Sequence, residues 1–168
     1  MPPVYFDSSV FLSIFMGDAS AAKIRELLVE LKREKIRIYT SIIAVQEVSV
    51  MSYRKGSIAA DNYSKVDKLA RIEGVTKDIA LTAAKFEAQI IDQTTARDRE
   101  DNKRRKWDCF HIATALTLGC SIFYTCDEKQ IQRRNQFGIT EMRFLKPEPS
   151  VPSLFTPPDD STVPPPVM

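Results

Sequence analysis

Four acidic residues occupy positions from which carboxylates could act together. Asp7 ends the strand-like run VYF within VYFDSSVFL, and Asp127 follows the run SIFYT by one residue. Asp108 lies in the first turn of the apolar stretch WDCFHIATALTLG, and Glu47 lies on the segment IIAVQEVSV that follows IRIYTS. In open α/β sheets ligands bind outside the carboxyl ends of the strands, where strand order reverses. If all four face that edge, their mutual repulsion must raise some pKa values or be answered by a cation. A hard divalent ion such as Mg²⁺ or Mn²⁺ suits an open set of oxygen donors and keeps several of its waters. The single His111 and three scattered cysteines do not make a zinc site.

Each carboxylate also has a plainer reading. Asp is a favoured helix N-cap, and Asp127 with Gln130 has the spacing of a capping box. Glu47 has Ile43, Val50 and Met51 at helical spacing, so its charge sits beside apolar neighbours. No Lys or Arg occurs between Thr40 and Tyr53. Its partner is therefore a remote group such as an arginine, or a metal, since buried charges are paired or bind metal.

Other residues near these positions have two readings as well. The run Lys103, Arg104, Arg105 and Lys106 stands directly before Asp108, where it could hold phosphates without choosing a sequence. As a solvated linker of alternating charge, preceded by Asp98, Glu100 and Asp101, it is equally well explained. Arg133 and Arg134 are a weaker version of the same idea. A lone His in an apolar helix, here His111, is more often a hydrogen-bonded core residue than a ligand. Trp107 could stack on a base, or simply pack its helix. Tyr53 and Tyr63 read as surface aromatics.

The elements that must position these groups follow from periodicity. PVYF, IRIYTS, SIFYT and EMRFLK read as strands, and IEGV as a short one. Helices are expected from Ser8 to Met16, from Ala21, over IIAVQEVSVMSYRKG, over AADNYSKVDKLAR, after Asp78, over WDCFHIATALTLG and from Glu128. The charged segment ARDREDNKRRK reads as a connection. Strands alternating with helices predict an α/β fold with a parallel, doubly wound sheet covered on both faces.

Length and composition frame this reading. The 168 residues, 43% hydrophobic and 27% charged, suit one domain with a sizeable core. The three cysteines form no C-x-x-C pair, which fits a reduced cytoplasmic setting. The N-terminus has no basic, apolar leader pattern, and no run of 18 apolar residues occurs, so no membrane insertion is expected. Residues 147–168 hold eight of the ten prolines, three acidic groups and no basic one, so the formal charge of +2 becomes +5 over residues 1–146. We divide the chain there into a body, 1–146, and a Pro-rich flexible tail, 147–168, in which Leu154 and Phe155 could dock on a surface.

Together, VYFDSSVFL, TSIIAVQEV, WDCFHIATAL and FYTCDEKQI, in this order and spacing, resemble the PIN-domain family of metal-dependent ribonucleases. That family includes the toxin components of type II toxin–antitoxin pairs of the virulence-associated protein C type. The resemblance covers roughly residues 3–146. It implies a parallel sheet flanked by helices and an acidic tetrad of Asp7, Glu47, Asp108 and Asp127. Ser8, Ser9 and Thr125 would steer ligands or waters from behind that tetrad. It further implies Mg²⁺ or Mn²⁺ as cofactor, RNA as substrate, 5′-phosphate and 3′-hydroxyl products, a homodimer and a cognate antitoxin protein.

In that chemistry a metal neutralises the phosphate, lowers the pKa of its bound water and stabilises the departing oxygen. Asp7 and Asp108 are then the first expected ligands, with Glu47 and Asp127 as ligands or water-orienting bases. The alternative is a non-catalytic module that keeps the fold and binds RNA or assembles with partners. An aspartyl-phosphate phosphatase of the haloacid-dehalogenase type would need a second Asp two positions after the first, and Ser9 stands there.

Overall fold

The computed structural model describes residues 2–54, 59–92 and 99–150; for residues 51, 59–60, 92 and 99–105 only the backbone is described. Strand β1 (Val4–Phe6) is followed by helices α1 (Ser8–Met16) and α2 (Ala21–Arg33), then by β2 (Ile38–Ser41). Helices α3 (Ile42–Arg54) and α4 (Ala59–Asp67) lead to β3 (Arg71–Glu73), and α5 (Lys77–Asp92) and α6 (Arg99–Thr117) to β4 (Ile122–Tyr124). Helix α7 (Glu128–Gln136) and β5 (Arg143–Leu145) complete the order.

The strands form one five-stranded sheet, order β3-β2-β1-β4-β5, with every pairing parallel. This is the expected doubly wound sheet. The chain starts at the centre, builds outward to β3, then crosses to the other side for β4 and β5. The order therefore reverses between β1 and β4, where the backbone N–H of Asp7 donates to the Tyr124 carbonyl at 3.2 Å.

Alternation along β1 feeds two cores. Tyr5 faces a cluster with Phe86, Ile90, Ile112, Phe123 and Phe144. Val4 and Phe6 face the other, with Phe11, Ile24, Leu27 and Val48. Burial on both sides covers nearly every residue of the three central strands, β1, β2 and β4, whereas the edge strands β3 (RIE) and β5 (RFL) stay partly exposed. The Tyr5, Phe123 and Phe144 rings stack across three neighbouring strands, with centroid spacings of 5.2 Å and 4.8 Å. Gly119 closes α6 at φ +64, which lets the Cys120 N–H reach back to the Ala115 carbonyl at 3.0 Å.

Two expected boundaries need correction. ARDREDNKRRK is not a connection throughout: from Arg99 it is helical and forms the first two turns of α6, while residues 96–98 lie outside the described ones. Straight-chain Glu, Lys and Arg are good helix formers, so a segment without apolar periodicity can still be helix. Arg71, expected in helix, opens β3 instead. Helix α4 stops at Asp67, the Val66 carbonyl accepts from both Leu69 and Ala70, and Arg71 pairs with Tyr39.

The expected end of α3 at Gly56 falls outside the described residues; the helix is described to Arg54. At the other terminus, Glu148 pairs with Lys23 at 3.0 Å and the Ser150 N–H donates to Glu30 at 2.9 Å, so the chain leaves the sheet along α2. Leu154 and Phe155 lie outside the described residues. The three cysteines are free thiols. Among the described residues no helix is long and apolar enough to cross a membrane.

Candidate active site

Because β1 and β4 are neighbours, Asp7 and the segment from Thr125 to Asp127 leave the sheet side by side. Asp7 has an extended backbone, φ −80 and ψ 176, and caps α1. Its Oδ1 accepts from the N–H groups of Ser9 (3.0 Å) and Val10 (3.3 Å) and from the Ser9 hydroxyl (2.6 Å). The Thr125 hydroxyl donates to Oδ2 at 2.6 Å and accepts from the Asp127 N–H at 3.0 Å. One threonine thus ties the two strand-end acids together. The capping reading and the cleft reading of Asp7 are both true. Asp7 is buried, and that burial pushes its pKa up against the opposing pull of His111 and the hydroxyl groups.

Asp127 is exposed and caps α7, its Oδ1 accepting from the Lys129 N–H at 2.8 Å. The other half of the expected capping box is absent. Gln130 turns away and donates from Nε2 to Asp108 Oδ1 at 2.9 Å. The Arg133 guanidinium, one turn further on α7, pairs with Asp108 Oδ2. Burial nonetheless raises the Asp108 pKa to about 6, with Arg133 and His111 acting in the opposite direction.

Glu47 finds its partner in neither an arginine nor an apolar pocket. His111 Nε2 meets its Oε2 at 2.8 Å, and the Ser8 hydroxyl also favours its charged form. Val50, one of the apolar neighbours expected beside Glu47, is itself exposed. Burial works against the Glu47 charge, but the His111 hydrogen bond and charge outweigh it and hold the carboxyl below its usual range. His111 is buried, and its Nδ1 lies 2.7 Å from the Tyr5 hydroxyl. Burial disfavours its charged form, yet Glu47 draws the pKa above the ordinary imidazole value.

The four acids therefore border one cavity of about 1120 Å³, walled also by Ser8, Ser9, Gln46, Trp107 and Arg133. They line it without converging: among the described residues no three His, Cys, Asp or Glu side chains stand close enough to hold an ion as placed. Each of the buried carboxylates is instead met by a protein donor. The donor set is nevertheless all oxygen, half-buried and richer in carboxylates than in cations, which is the chemistry of a hard divalent ion.

Lys106 is exposed but is not among the residues that wall the cavity, while the side chains of Lys103, Arg104 and Arg105 lie outside the described residues. Arg134 faces away, its Nε donating to the Met142 carbonyl at 2.9 Å. His111 is the hydrogen-bonded core residue expected, but sequence reasoning did not find its partners Tyr5 and Glu47, gave Gln130 only a capping role, and read Arg133 as a phosphate contact or a solvated charge rather than the partner of Asp108. The signal for α7 was present: Asp127, Gln130 and Arg133 recur every three residues, the spacing of one helix face.

The sequence profile of the PIN domain matches residues 4–136. No curated protein sequence matches the chain. Among solved structures it is similar to the Mycobacterium tuberculosis VapC20, described as a sarcin-ricin loop cleaving toxin, with a TM-score of 0.57 at 18% identity over 83% of this chain and 98% of that one. It is also similar to VapBC-1 from nontypeable Haemophilus influenzae, with a TM-score of 0.58 at 14% identity over 86% of this chain and 97% of that one. A toxin–antitoxin complex from Klebsiella pneumoniae matches with a TM-score of 0.54 at 18% identity, over 87% and 98%. At these identities the structures agree in fold, and the profile match over most of the sequence decides the family: this chain belongs to the PIN-domain family.

Proposed function

We propose that this PIN domain is a metal-dependent endoribonuclease acting as the toxin of a toxin–antitoxin pair. The observation that carries the reading is the meeting of Asp7, Glu47, Asp108 and Asp127 around one cavity at the switch point of the sheet. The described toxins with the same fold support it. Asp7 and Asp108 would hold Mg²⁺ or Mn²⁺, with Glu47 and Asp127 completing the set or orienting water. When bound, such an ion neutralises phosphate charge, acidifies water and stabilises the departing alkoxide.

The chain's own residues supply the rest. Thr125 and Ser9 fix the Asp7 carboxylate through three hydroxyl and amide contacts, so it meets its ligand already oriented. His111, anchored on Tyr5, does the same for Glu47. Arg133 neutralises Asp108 and lies within the cavity, placed to meet a phosphate oxygen once Asp108 has another partner. Lys129 on the cavity wall and the exposed Lys106, which directly precedes Trp107 in the chain, add positive charge that attracts the backbone without choosing a sequence. The basic run Lys103–Lys106, a homodimer, a cognate antitoxin, cytoplasmic location and the division into a nuclease domain (1–146) and Pro-rich tail (147–168) belong to the same proposal.

A second reading, a PIN-fold module that binds RNA without cleaving it, is favoured by one observation: Asp108 is already satisfied by Arg133 and Gln130. Incubating a mixed RNA pool with purified protein separates the two. The nuclease reading predicts cleavage in Mn²⁺ or Mg²⁺ that EDTA abolishes. Intact RNA with every metal, alongside binding that EDTA leaves unchanged, selects the module.

A further inference from the structure

Trp107 is the one tryptophan of the chain, and it is 37% exposed rather than spent on the core. It directly precedes Asp108 on α6, yet both line the same cavity. Phe110, one turn further along, supports the indole with ring centroids 6.0 Å apart and planes inclined by 36°. A propped aromatic ring loses little freedom when something is laid on it.

The walls around it have a mixed character. Leu12 and Val50 are apolar, and Gln46, Gln132 and Gln136 are neutral amides that both donate and accept. A bare phosphate calls for cations, and the cavity supplies those in Lys129 and Arg133. An indole, two aliphatic groups and a set of amides match a different chemistry: a flat apolar face with donors and acceptors along its edge. That is a nucleobase. In a duplex both faces of a base are covered by its neighbours, so only an unpaired base can use the indole.

We propose that Trp107 is the stacking platform that receives an unpaired nucleobase beside the phosphate held at the acidic cleft. The inference rests on the nuclease reading and adds to it the residue that positions a base next to the scissile phosphate.

Because Trp107 is the sole tryptophan, intrinsic fluorescence reports on it alone. Titrating the Asp7→Asn protein with an end-labelled single-stranded oligoribonucleotide allows anisotropy to measure binding while tryptophan emission measures stacking. The expected result is saturable quenching that tracks the anisotropy. In the Asp7→Asn background, Trp107→Ala should weaken binding roughly 5- to 150-fold, the range for loss of one base–aromatic stack, and Trp107→Phe should restore most of it. The same sequence presented as duplex should quench little. Binding by anisotropy with unmoved emission, unchanged affinity of a Trp107→Ala protein whose circular dichroism matches the parent, or equal quenching by duplex would each overturn the platform while leaving the nuclease reading standing. Absence of any RNA binding, with no cleavage by wild type in Mn²⁺, would remove both.

Discussion

His111 Nε2 lies 2.8 Å from Glu47 Oε2 while its Nδ1 lies 2.7 Å from the Tyr5 hydroxyl, so a fully covered imidazole joins the hydrophobic core to the acidic cleft. The two groups shift each other in opposite directions. Glu47 is held below its ordinary value of 4.5, so its contribution is present above that pH and is lost as pH falls through the lower folded value. His111 is raised above 6.5, so its contribution is complete below that pH and is lost as pH rises through the higher folded value. We expect His111→Ala to cost about 2–4 kcal/mol, from the buried hydrogen bonds and the charge left unpaired. In urea unfolding with EDTA present, the gap between wild type and variant should be widest near pH 5–6 and narrow above it. A gap independent of pH would mean that packing alone is lost.

Arg133 offers a test with the opposite pH sense. Burial places Asp108 at about 6, above its unfolded value of 3.8, so this group destabilises the metal-free fold increasingly as pH rises from 4 through 6. Arg133→Gln removes the cation that limits this effect. The variant should lose about 1–3 kcal/mol at pH 8 and less at pH 5, where Asp108 is protonated. Saturating Mn²⁺ should raise its Tm more than that of wild type, because a bound cation replaces the missing charge. Thermal melts at both pH values, with and without Mn²⁺, check each point.

Thr125 serves two acids through one hydroxyl, donating to Asp7 and accepting from the Asp127 N–H. Thr125→Val keeps the shape and deletes both bonds. It should cost about 1–3 kcal/mol of stability, since buried polar groups are left unsatisfied, and weaken Mn²⁺ binding by roughly 10- to 100-fold, as loss of groups that orient metal ligands does. Denaturant unfolding and Mn²⁺ titration measure the two effects separately. Affinity that survives intact would show that Asp7 does not need this donor.

Lys106 and Lys129 should act additively and without sequence preference. Lys106→Gln and Lys129→Gln should each weaken binding of unrelated single-stranded RNAs by a similar factor. Each should also lower the slope of log affinity against log salt by about 0.7. A variant that weakens one sequence and spares another would place that lysine on a base instead.

Much of this architecture is legible in the sequence because two-sided burial leaves an unmistakable trace. Runs such as VYF and SIFYT, separated by helices with Ile79, Ala83, Phe86 and Ile90 on one face, leave a doubly wound parallel sheet as the natural arrangement. Asp7 and Asp127 could be placed at one edge because the strands ending there had to be parallel. The first turns of α6 were not legible, since a charged helix without an apolar stripe looks like a loop to any argument built on periodicity. Nor were the pairings of Glu47 with His111 and of Asp108 with Arg133. They join α3 to α6 and α6 to α7, and contacts between elements far apart in the chain leave no local pattern.

The central claim is that the cleft carboxylates together hold a divalent ion. Titrating Mn²⁺ into wild type, Asp7→Asn and Asp108→Asn protein, with free Mn²⁺ followed by electron paramagnetic resonance, tests it without reference to any substrate. The account predicts saturable binding by wild type, lost in both variants while their circular dichroism and cooperative unfolding persist. Binding that neither substitution diminishes, or a wild type that leaves all Mn²⁺ free, would contradict it.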